Sequence, residues 1–164
     1  MEERGHVRRG YFVNGLGAAQ FALPGAVDRL RDVRERHDSV LHPESQPDPI
    51  VLVATDPAQP YGSTLPWPMS EGRPSRSAGA LVVLHEGEPL VWFDARAHSL
   101  VMFPAAEHDA SWAESFAKLV KDGRRRSIEI RKIDGIEIDA RHECVPILER
   151  AGFVGGYRGW VLRD

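Results

Sequence analysis

Three prolines and two serines crowd residues 38–49, at Ser39, Pro43, Ser45, Pro47 and Pro49. A regular helix or central strand does not tolerate that density of fixed φ angles and missing amide donors. The stretch therefore reads as a linker between a short unit, residues 1–37, and a longer one, residues 50–164. With 42% hydrophobic and 27% charged residues, the chain has enough apolar side chain for a real core and does not read as a disordered tail. No apolar run approaches the ~20 residues of a membrane helix. The charged start, Met1-Glu2-Glu3-Arg4, is followed by no apolar segment of the kind a secretory signal carries. Cys144 is the one cysteine, which excludes an internal disulfide and a thiolate zinc set, so the expected compartment is a reducing cytoplasm.

In the short unit, residues 2–7 read as the tail of a helix. Arg8-Arg9-Gly10-Tyr11-Phe12-Val13 suits a strand, Asn14-Gly15-Leu16-Gly17 a turn, and residues 18–23 a returning strand. Pro24 is pre-organised for helix entry, and Ala26, Val27, Leu30 and Val33 fall at helical spacing up to about His37. Helix tail, strand, glycine-rich turn and strand form the second half of a winged helix, whose recognition helix would lie upstream of Met1. The expectation is a partial winged-helix unit, wing hairpin plus helix.

The longer unit opens on a buried-type strand, residues 50–54, followed by a Pro- and Gly-rich loop that runs to about Ser77. Loops this long in compact domains are uncommon and tend to be functional. Three short strands follow (80–85, 89–93, 100–103). An amphipathic helix spans 107–121, a strand with alternating burial 127–133, the Asp134-Gly135 turn comes next, then a short helix over 145–150 and closing strands. Many strands with two helices, not alternating regularly, predict an α+β class with a barrel-like β-rich module rather than a doubly wound sheet.

The net charge of −3 excludes a uniformly basic nucleic-acid binder but not a local patch. Arg4, Arg8 and Arg9 fall at the wing base, and Arg124-Arg125-Arg126 leads into a strand that also carries Arg131 and Lys132. Arginine forks suit phosphate oxygens, although cations also favour a helix C-terminus for structural reasons alone. Tyr61 and Trp67 are candidates for stacking on bases, whereas Trp92 and Trp112 sit in periodic elements and read as core. Asp56, Asp94, Asp139 and Asp164 are the carboxylates near turns or the terminus. One of them could activate water for N-glycosidic hydrolysis, although turn capping is the commoner role. No phosphate-cradling loop for ATP and no nucleophile elbow occurs. His142-Glu143-Cys144 is too small a cluster for a metal site, so no metal or cofactor is expected in this chain.

Several stretches together resemble the far C-terminal region of the large helicase-related (Lhr) proteins. They are Arg9-Gly10-Tyr11-Phe12-Val13-Asn14-Gly15-Leu16-Gly17-Ala18-Ala19-Gln20-Phe21-Ala22, the following residues to Arg31, Ala54-Thr55-Asp56-Pro57-Ala58-Gln59-Pro60-Tyr61-Gly62, Leu65-Pro66-Trp67-Pro68, and Gly156-Tyr157-Arg158-Gly159. The resemblance covers essentially the whole chain. It implies a superfamily 2 DNA helicase involved in repair, its motor lying outside this segment, and likeness to winged-helix alkylpurine DNA glycosylases. It also implies DNA, single-stranded or duplex, and the parent helicase core as partners. An aspartate near the C-terminus tied to uracil removal in the family has Asp164 as its nearest counterpart, with Asp56 the other carboxylate considered. Three readings follow: a DNA-binding accessory module, a glycosylase module, and an assembly module joining copies into a homo-oligomer.

Overall fold

The computed structural model describes residues 7–14, 16–38 and 47–163, with backbone alone for 36–38. The chain forms two compact units, residues 1–46 and 47–164.

In the N-terminal unit, β1 (Arg8–Gly10) pairs antiparallel with β2 (Gln20–Ala22), Arg9 opposite Phe21. These strands are shorter than their sequence suggests, and Gln20 supplies the reason. Its Oε1 accepts from the amides of Phe12 and Val13, and its Nε2 donates to the Val13 carbonyl, each at 2.8 Å. One side-chain amide thus satisfies backbone groups that a longer ladder would have paired. Pro24 and Gly25 form a turn, after which α1 (Ala26–Asp38) begins.

The C-terminal unit is α+β. Its six-stranded sheet contains β3 (Ile50–Val53), β4 (Leu81–His85), β5 (Glu88–Asp94), β6 (Ser99–Met102), β8 (Lys132–Ile133) and β9 (Ile136–Glu137), in the order β3-β4-β5-β6-β8-β9. All neighbours are antiparallel except β6 and β8. A second sheet holds β10 (Val154–Gly155), β11 (Trp160–Arg163) and β7 (Ser127–Ile130), with β11 central. Both sheets are open, and no closed barrel forms among the described residues. The single strand read over 127–133 serves both sheets: it leaves β11 after Ile130 and joins β6 at Lys132.

The amphipathic helix starts later than its periodicity indicates. Residues Pro104–Glu107 form a 3-10 turn, and α2 runs Ser111–Lys121. Just ahead of it Asp109 accepts from the Ser111 amide at 2.9 Å, a local turn before Ala110, which caps the helix with no side-chain bond. Trp112, Phe116 and Leu119 of α2 are buried against Leu90, Phe93, Ile130 and Leu148, the last from α3 (Val145–Arg150). On the opposite face of the large sheet, Val82, Trp92, Val101 and Phe103 form a second core, with Trp67 of the long loop packed on it. Apolar faces on both sides explain why β5 is buried along nearly its whole length rather than in alternation. No described helix is long and apolar enough to cross a membrane.

Candidate nucleic-acid interface

The basic residues after α2 are gathered by the way the helix ends. The Asp122 and Gly123 amides donate to the Lys118 and Val120 carbonyls, and the Arg125 amide donates to Leu119 at 3.1 Å, folding the turn back on the last helical turn. The chain then enters β7, whose Ser127 lies opposite Arg163. Arg163 and Lys121 consequently line one depression of about 510 Å³ beside the arginine turn. Arg124 and Arg126 are exposed and Arg125 half-buried. Among the described residues none of Lys121, Arg124, Arg125, Arg126 and Arg163 forms an ion pair. Lys118 differs, since it meets Asp48 at 3.0 Å. Glu114 and Asp122 line the same depression, and the charge of Arg163 helps hold the Glu129 carboxyl below its ordinary range. Lys121 precedes the arginine run in the chain itself, whereas only the β7–β11 register brings Arg163 from the chain's end to the helix end.

Arg8 and Arg9 are exposed on β1, whereas Arg4 lies outside the described residues. Among the stacking candidates, Tyr61 is buried at 8% exposure and its hydroxyl donates to the Gly87 carbonyl at 2.9 Å. Trp67 is half-buried, its ring nearly parallel to Phe103 (centroids 5.8 Å, 2°) and stacked with Tyr61 (6.0 Å, 24°). The loop that carries them is tied down by buried polar groups. Fully buried Gln59 donates to the Ala54 and Tyr61 carbonyls and accepts from the Tyr61 amide. The Arg76 guanidinium donates to the carbonyls of Gln59 and Asp56, and Trp92 Nε1 to that of Ser75.

The carboxylates are mostly turn caps. Asp56, Asp94 and Asp139 each accept through Oδ1 from an amide two residues on, at 2.8 Å. Asp164 lies outside the described residues. Burial, with the charges of Glu143 and Asp134 adding to it, pushes the Cys144 thiol up to about 11, so it is no nucleophile near neutrality. No group of three metal-ligating side chains occurs among the described residues.

A second concavity, about 740 Å³, is lined by Arg131, Lys132, Glu137, Asp139, Tyr157 and Arg158 among others. Arg131 sits where the chain changes sheets and binds Glu129 through two bonds of 2.9 Å, which hold the Glu129 carboxyl below its ordinary range. Lys132 faces Glu137 at 3.8 Å. Tyr157 is 99% exposed, and Arg158 has no ion partner among the described residues. Read from the sequence, Tyr157 belongs to a strand; it stands instead on the two-residue tip joining β10 to β11.

Residues 1–41 match the winged-helix domain of the large helicase-related proteins. The chain is 45% identical, over 99% of its length, to the Lhr helicase/probable uracil glycosylase of Mycolicibacterium smegmatis, covering 11% of that protein. Over 56% of its length it is 44% identical to the Lhr helicase/uracil glycosylase of Escherichia coli, covering 6% of that protein. The chain thus spans about a tenth or less of the relatives it matches.

Proposed function

Because the chain belongs to the large helicase-related family, we propose that it is a DNA-holding module of such a helicase, acting in repair beside the parent motor in the cytoplasm. The observation that carries this reading is the run of exposed cations Lys121, Arg124 and Arg126 at the end of α2, none of them in an ion pair among the described residues. Arginine forks match phosphate oxygens, and a local basic patch can hold them on a protein whose net charge is −3. Arg8 and Arg9 on the wing hairpin offer a second phosphate contact.

Fluorescence anisotropy with a labelled duplex tests the reading. Replacing Arg124 and Arg126 together by Glu lowers affinity about ten-fold and reduces the slope of log affinity against log salt by roughly two. Unchanged affinity and slope would sink it.

A second reading, N-glycosidic removal of uracil, is favoured by the names of both relatives. With Asp56 engaged in its turn, Asp164 is the carboxylate that would activate water. Alkali-revealed strand scission at uracil that disappears in Asp164→Asn supports it, and scission that survives the substitution removes Asp164 from the role.

A further inference from the structure

Three hairpin tips in the C-terminal unit can be compared directly. The tips Glu86-Gly87 (φ 50° and 89°) and Asp134-Gly135 (φ 50° and 81°) have positive φ at both central positions. That is the backbone a two-residue turn between twisted strands prefers, and Gly in second place provides it at little cost. The tip between β10 and β11 is built otherwise. Gly155 lies opposite Trp160, and the Gly156 amide donates to the Gly159 carbonyl at 2.7 Å, leaving Tyr157 and Arg158 as the two tip residues. Glycines flank the tip instead of forming it. Gly159 is required by close approach, because a Cβ there would lie 2.3 Å from the Ile130 carbonyl oxygen. Neither Tyr157 nor Arg158 has a positive φ, so this tip does not call for Asn or Gly, and the aromatic it carries is 99% exposed. Tyr157 and Arg158 both line the concavity of about 740 Å³, so the exposed ring and the cation stand together at its edge.

We infer that Tyr157 stacks on an unpaired base of single-stranded DNA, with Arg158 on the adjoining phosphate and the base edge in the groove beside β9. The proposal rests on the DNA-holding reading and deepens it by naming the strand form and the aromatic. The groove's charges suit a base better than a run of phosphates. Arg131 and Lys132 already face Glu129 and Glu137, and Asp139 adds a further acceptor. Arg158 alone among these cations has no carboxylate partner in the described structure. An aromatic face accepts any base, so sequence preference is expected to be weak.

The full chain, titrated against a single-stranded oligonucleotide carrying one 2-aminopurine and against the matching duplex, tests the proposal. Tyr157→Ala lowers single-strand affinity about ten-fold and abolishes the 2-aminopurine quenching, Tyr157→Phe keeps both, and duplex affinity is unchanged in either variant. If Tyr157→Ala binds and quenches as the unaltered chain does, the stacking role is overturned while the phosphate surface at α2 stands. If the unaltered chain binds neither DNA, stacking and DNA-holding fall together.

Discussion

In residues 54–79 the aromatic rings turn inward, and at residues 156–159 the aromatic turns outward. Both stretches are rich in Gly, both break the regular pattern around them, and both place a tyrosine beside a glycine. The long loop nonetheless fills a face of the large sheet, since Trp67 packs on Val82, Trp92 and Phe103, and Gln59 spends its amide on the loop's own backbone. The short tip packs on nothing that hides Tyr157. Length and proline content therefore do not identify a binding loop. The deciding quantity is whether the sheet beneath has an uncovered apolar face. The large sheet has one, and the Pro-rich strap covers it.

The difference can be broken or sharpened by four measurements. Trp67→Ala should destabilise the chain by about 3 kcal/mol in urea unfolding, because it strips the ring that packs on the second core; a loss near zero would return Trp67 to the candidates for base contact. Gln59→Ala should cost about 2 kcal/mol, since it strands the buried Tyr61 amide and two carbonyls.

A smaller, pH-dependent effect is expected where β4 meets the start of α2. Burial works against the charged His85 ring, but the hydrogen bond and charge of Asp109, the Pro47 carbonyl and Glu86 outweigh it and raise its pKa above 6.5. Asp109, disfavoured as an anion by burial, is held below 3.8 by Ser111 and His85. A raised histidine contributes stability fully below its unfolded pKa and loses it as pH rises through the folded value. A depressed aspartate contributes above its unfolded pKa and loses it as pH falls through the folded value. The pair therefore stabilises between a pH below 3.8 and a pH above 6.5. The gap in melting temperature between the unaltered chain and His85→Gln should be widest near pH 5–6 and close on the alkaline side. A gap that widens with rising pH would contradict the pairing. The smallest effect belongs to the tip: Tyr157→Ala should shift stability by less than about 0.5 kcal/mol, and a larger cost would give Tyr157 a packing role.

The sequence carried the elements whose cause is local. The periodic burial of Trp112, Phe116 and Leu119 marked α2, and Asp134-Gly135 marked its turn. Boundaries beside side chains that reach the backbone are not legible, because nothing in the periodicity announces Asp109 turning back to the Ser111 amide or Gln20 replacing a ladder. The run of Lys121 and Arg124 to Arg126 is legible in the sequence, whereas Arg163 joins it through strand register. Tyr61 and Trp67 drew attention by their unusual loop, and only tertiary packing shows what that loop covers. Tyr157 reads from the sequence as the start of the closing strand after a Gly155-Gly156 turn, and only the pairing of Gly155 with Trp160 puts it at the tip.

Photo-crosslinking decides most directly which aromatic meets the bases. The full chain, irradiated with single-stranded DNA carrying 5-iodouracil at successive positions and digested for peptide mapping, should attach at Tyr157. Attachment at Tyr61 or Trp67, with Tyr157 unmodified, would contradict the account.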